Sequence, residues 1–74
     1  MARYYNNGNV YVLSDDSKIK LGDWFVLDDK LLQALYSSDD YYICFRIGNS
    51  LFSQHKMFCK KVIDTNDPSL NLKQ

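Results

Sequence analysis

Lys18-Ile19-Lys20-Leu21-Gly22-Asp23-Trp24-Phe25-Val26 is the stretch from which the fold can be read: alternation up to Leu21, a Gly-Asp turn, then an apolar run that opens on the only tryptophan. Glycine admits the positive backbone φ that a tight turn needs, and aspartate bonds to neighbouring amides, so Gly22-Asp23 ends one extended segment and starts another. In 18–21, Lys18 and Lys20 point outward and Ile19 and Leu21 inward, the period of a half-buried strand. Residues 24–27 are apolar on both faces, which fits either a central strand or one whose second face meets a partner subunit.

The same punctuation recurs along the chain. Asn6-Asn7-Gly8-Asn9, Asp15-Asp16-Ser17, Asp28-Asp29, Ser37-Ser38-Asp39-Asp40, Gly48-Asn49-Ser50 and Asp64-Thr65-Asn66-Asp67-Pro68 are turn signals. They recur about every 10 to 13 residues, the rhythm of short antiparallel strands. Strands are expected at 10–13, 18–21, 24–27, 41–47 and 58–63, with 41–47 the richest in β-branched and aromatic residues. Residues 51–57 show weak periodicity and read as an irregular excursion. Residues 30–36 read two ways: Leu31, Leu32, Leu35 and Tyr36 fall at helical spacing after an Asp cap, while Asp28-Asp29 equally fits a hairpin turn into a strand. The strand is the preferred reading.

Composition points the same way. All nine acidic residues are Asp, and Ala2 and Ala34 are the only alanines, so the usual helix formers are scarce. The chain has 74 residues, 46% of them hydrophobic and 24% charged, which makes one globular domain rather than a disordered segment. A chain this short buries only about 60 to 65% of its unfolded surface, so association of copies would help it, and its eleven aromatic rings must supply much of the core. The expected fold is mainly β: a small antiparallel meander or SH3-like barrel of about five to six strands over residues 1–66, with room for one short helix. Residues 67–74 form a tail, in which Leu70 and Leu72 would order against the domain or a neighbouring copy.

The formal net charge is zero, which argues against a protein that coats duplex DNA. Residues 1–40 hold seven Asp against four basic residues and residues 41–74 hold two Asp against five, leaving −3 and +3. That polarity could steer an anion to the later strands or align two subunits head to tail. Neither an N-terminal apolar leader nor a run near the ~18 residues of a membrane span is present, so a cytoplasmic protein with no membrane partner is expected. Cys44 and Cys59 then read as two buried thiols rather than a disulfide.

No residue pattern demands a particular chemistry. His55, Cys59 and Cys44 offer three soft ligands, but neither a CxxC pair nor a second His accompanies them, so a structural metal site is not expected. The lone His has no nucleophile elbow to serve, the Asp-Asp pairs sit in turns, and the three glycines form no phosphate-cradling run. The expectation is a protein without catalytic residues or cofactor. Aromatic faces stack bases while Arg and Lys hold phosphates, which makes Trp24 and Tyr42 candidate stacking residues and Arg46, Lys60 and Lys61 candidate phosphate contacts.

Two blocks carry a resemblance: Ile19-Lys20-Leu21-Gly22-Asp23-Trp24-Phe25-Val26, and Cys59-Lys60-Lys61-Val62-Ile63-Asp64-Thr65-Asn66-Asp67-Pro68-Ser69-Leu70-Asn71-Leu72. Together they resemble a group of small proteins encoded by tailed bacteriophages and gut bacteria. Members of that group continue past the Ser-Leu-Asn-Leu segment into a C-terminal extension, and this sequence stops at Gln74. The Gly-Asp entry into an aromatic strand is also similar to the opening of SH3-like barrels, an analogy of fold alone. The phage resemblance implies a binding protein that occupies a host molecule. The leading expectation is an oligomeric sponge that sequesters a nucleotide-derived immune signal, a cyclic nucleotide or an ADP-ribose-type ligand. The alternatives are a protein-interaction module that inhibits a host defence enzyme, and a small barrel that binds single-stranded nucleic acid.

Overall fold

Three two-residue hairpins set the architecture of the computed structural model, which describes residues 2–37 and 41–66. Strands β1 (Tyr4–Asn6) and β2 (Asn9–Leu13) are joined by Asn7 at φ 50° and Gly8 at φ 82°. Strands β3 (Trp24–Leu27) and β4 (Lys30–Gln33) are joined by Asp28 at φ 50° and Asp29 at φ 62°. Left-handed backbone at both central positions is the type I′ turn, whose twist matches that of paired strands, and Asn and Asp tolerate it because their short polar side chains bond locally. The third hairpin joins β6 (Tyr42–Ile47) to β7 (Ser50–His55) through Gly48-Asn49, where only Gly48, at φ 61°, is left-handed, the pattern of a type II′ turn. A two-residue β5 (Tyr36–Ser37), a single 3-10 turn (Lys56–Phe58) and β8 (Lys60–Asp64) complete the order.

The eight strands among the described residues form two antiparallel sheets, one ordered β1-β2-β8-β3-β4 and the other β5-β6-β7. In the first, β1 and β4 return toward each other and nearly close the sheet into a barrel. Strand β3 serves both cores. Its Val26 and half-buried Trp24 meet Tyr11, Val62, Tyr4 and Leu31 inside the barrel. On its opposite side, Phe25 packs with Ile19, Ala34, Ile43, Phe45 and Cys59, which joins the barrel to the three-stranded sheet. The doubly apolar 24–27 is therefore a central strand, with both faces used inside one chain.

The mainly β reading holds, and 30–36 is strand rather than helix, split into β4 and β5 as the chain passes from one sheet to the other. Residues 18–21, however, form no strand. Lys20 donates its N–H to Asp23 Oδ2 at 2.8 Å, Asp23 returns its own to Lys20 C=O at 2.9 Å, and Gly22 at φ 88° occupies the position a type II turn reserves for glycine. The alternation is right for Ile19, which is buried, and wrong for Leu21, which the turn leaves exposed. Residues 51–55 are the opposite correction: they pair in full register with β6, and only 56–58 is irregular. Their weak periodicity has a physical cause, since an edge strand with little burial on either face needs no alternation. The tail at 67–74 lies outside the described residues.

Candidate binding surface

The five residues singled out from sequence do not converge on one place. Trp24 lies with its ring 5.5 Å from Tyr11, tilted by 37°, so much of its surface belongs to the barrel core. Its remaining edge lines a cavity of about 310 Å³ with Asp23 and Lys61, and another of about 230 Å³ with Leu31, Leu35 and Arg46. Arg46 and Tyr42 share the outward face of β6, but four residues of strand hold them about 13 Å apart. Lys60 is exposed on β8, and its neighbour Lys61 points to the opposite face.

Lys61 is a structural tie. Its side chain is 18% exposed, and its Nζ lies 3.4 Å from both Asp16 Oδ2 and Asp23 Oδ2. Each carboxylate also accepts a backbone N–H, from Lys18 at 2.9 Å and Lys20 at 2.8 Å, so one ammonium staples the 15–23 loop to β8. The Lys18 amide first, and the Lys61 ammonium second, hold the Asp16 carboxyl below the usual carboxylate range. A carboxylate with a lowered folded pKa stabilises the fold above its unfolded value of about 3.9, and that contribution disappears as pH falls through the folded value. Lys61→Met is accordingly expected to lower the melting temperature by a few degrees at pH 7. The gap from the native protein should close as pH is taken below the carboxylate range; an undiminished gap in a pH series of thermal melts would contradict the clamp.

A different cluster gathers several rings at the surface. Register places Tyr42 directly opposite His55, and the Tyr42 and His55 rings lie 5.7 Å apart. Tyr41 stands 5.9 Å from His55 and 6.4 Å from Tyr42, and Phe58 stands 6.5 Å from His55. Tyr41, Tyr42 and Phe58 are 58%, 53% and 59% exposed, beside a still more open Met57. The His55 ring is fixed because its Nδ1 accepts the Met57 N–H at 3.1 Å, capping the 3-10 turn. Of these residues only Tyr42 was singled out from sequence. The others become visible only when the β6-β7 register and the 3-10 turn are known.

Two further features bear on chemistry. A cavity of about 480 Å³ lies between the 18–21 loop and the 3-10 turn and is lined by Lys18, Lys20 and Lys56 with Ile19, Leu21 and Ser37. Cys59 is buried, which pushes its thiol pKa up and makes it a poor nucleophile, while Cys44 is half-buried; both are free thiols. Among the described residues no three His, Cys or Asp side chains gather as metal ligands, and no helix is long and apolar enough to cross a membrane. No protein-family model matches the chain, no curated protein matches it, and no solved structure is significantly similar to it.

Proposed function

We propose that this chain is a non-enzymatic binding protein that engages a partner protein through the ring cluster Tyr41, Tyr42, His55 and Phe58. The observation that supports it is the exposure of Tyr41, Tyr42 and Phe58, whose rings gather around half-buried His55 with Met57 beside them. Protein contact surfaces are enriched in Tyr, Phe and Met, and rigid rings held against each other bury large area at small entropic cost. The resemblance to proteins of tailed phages makes a host defence enzyme the partner to seek. The test is quantitative affinity purification from bacterial cells with the native chain, Tyr42→Ala and Phe58→Ser. One stoichiometric partner is expected with the native chain, bound at least about 30-fold more weakly by either variant, the effect of losing a contact of about 2 kcal/mol. Equal recovery by variants that keep native circular dichroism would end this reading.

A nucleotide-derived ligand is the second reading, favoured by one observation: Trp24 and Arg46, a stacking and a phosphate candidate, line the same cavity of about 230 Å³. It ranks below the first because ligand pockets usually enclose about 300 to 1,000 Å³ and because Tyr42 and Lys61 do not reach that cavity. Calorimetry against cyclic oligonucleotides and ADP-ribose derivatives tests it, and a panel without binding heat would dispose of it.

A further inference from the structure

We propose that β7 is an assembly edge along which two copies of this chain pair antiparallel. A sheet edge offers unpaired N–H and C=O groups, and natural proteins guard it by shortness, charge, proline or cover. The other edges among the described residues are guarded: β5 has two residues, β1 has three, and β4 opens on Lys30 and faces β1 across the barrel seam. Strand β7 has six residues, Ser50-Leu51-Phe52-Ser53-Gln54-His55, with no Lys, Arg, Asp or Pro. Its first four are exposed, Leu51 by 67% and Phe52 by 47%.

The backbone determines which groups are open. Leu35 N–H donates to Cys44 C=O on one side of β6, and Lys56 N–H donates to Tyr41 C=O on the other. Ser50 closes the hairpin opposite Ile47. Antiparallel alternation therefore turns Ser50, Phe52 and Gln54 toward β6, and Leu51, Ser53 and His55 toward the outer edge. His55 is already engaged: Gln54 Oε1 accepts its N–H at 2.9 Å, and its C=O accepts from the Cys59 thiol at 3.7 Å. Leu51 and Ser53 hold the open donors and acceptors.

That distribution selects both the occupant and the register. With a two-fold axis at Phe52, Leu51 of each copy stands opposite Ser53 of the other, and the resulting hydrogen bonds use every open group on both strands. An axis at Leu51 would set Ser53 against Asn49 in the turn, and an axis at Ser53 would set Leu51 against the engaged His55. The register at Phe52 also makes the two Phe52 residues a non-hydrogen-bonded pair, where side chains approach closest. The two rings would extend the Phe45–Phe52 stack, whose centroids are 5.9 Å apart, from one copy into the next. No charged side chain on the strand opposes the approach. Pairing of one short edge buries less than the ~800 Å² per partner of a standard interface, so the dimer is weak, with Kd on the order of 10 to 100 μM. It meets the ring cluster only at His55, whose N–H and C=O the pairing does not use, and it would display two such clusters about 20 Å apart along the shared strands.

Sedimentation velocity from about 5 μM to 1 mM tests it on the native chain, Leu51→Lys and Ser53→Pro. Proline at 53 removes an N–H that faces the edge and none that β6 uses. The native chain should dimerise across this range, with each variant at least about ten-fold weaker and unchanged in circular dichroism. Should Ser53→Pro misfold, Leu51→Lys decides alone, because the Leu51 side chain is already exposed. A native chain that stays monomeric at 1 mM, or a dimer indifferent to Leu51→Lys, overturns the proposal. Both variants leave Phe58 and Tyr42 in place, so partner capture succeeds or fails independently of the dimer.

Discussion

Phe25→Ala is expected to leave the chain largely unfolded at 37 °C. Phe25 is fully buried and sits where the barrel meets the three-stranded sheet, with its ring 5.6 Å from Phe45 in an edge-to-face contact. Around it stand Ile19 from the loop, Ala34 from the crossing between sheets, Ile43 from β6 and Cys59 from the entry to β8. Removing a buried Phe ring costs about 3 to 5 kcal/mol, from lost transfer energy plus the cavity left behind. A domain this small has a total stability of about 5 kcal/mol, so the loss consumes most of it. Collapse of the surroundings cannot recover much, because the walls come from two sheets and a turn stapled by Lys61. Chemical denaturation followed by tryptophan fluorescence and circular dichroism measures it. An unfolding free energy within about 0.5 kcal/mol of the native value would mean the two sheets do not share a core.

Such a core could be foreseen only in part. The turns were legible because left-handed backbone is confined to few residue types, as at Asn7-Gly8, Asp28-Asp29 and Gly48-Asn49, but only Asp28-Asp29 was read as a hairpin, since no strand was expected at 4–6 and 51–57 was expected to be irregular. That both faces of β3 are covered was legible from Trp24 to Leu27 having no polar face, but whether the second face met the same chain or a partner subunit was not. What misled was 18–21, where a strand-like alternation marks a loop that buries Ile19 and satisfies its amides through Asp16 and Asp23 side chains rather than a ladder. Strand β7 was hidden for the converse reason. Its hydrogen bonds are regular, but an edge exposed on both faces imposes no pattern on its side chains. The candidate residues suffered from the same gap. Lys60 and Lys61 are adjacent in sequence, yet strand alternation leaves one in solvent and gives the other to two carboxylates. The ring cluster is a property of register, with Tyr42 and His55 opposed across two strands, and sequence spacing carries no trace of it.

Trp24→Ala separates a core role from the proposed binding role of the chain's only tryptophan, and its expected result is a folded but much weakened protein. Trp24 is half-buried, in contact with Tyr11 and the barrel cluster of Val26 and Val62. Full burial would put the cost of truncation at about 3 to 5 kcal/mol, so partial burial scales it to about 2 to 3 kcal/mol. That is less than the loss at Phe25, because the barrel interior can relax toward the cavities beside Trp24 while the inter-sheet core cannot relax toward solvent. At 15 °C the variant should therefore keep its far-ultraviolet spectrum while its denaturation midpoint falls by roughly half. Under those conditions partner capture through Tyr42 and Phe58 should persist, since neither ring touches Trp24, whereas any nucleotide ligand of the Trp24–Arg46 cavity should be lost. Retained binding of such a ligand by folded Trp24→Ala would remove the tryptophan from the site, and an unchanged midpoint would remove it from the core.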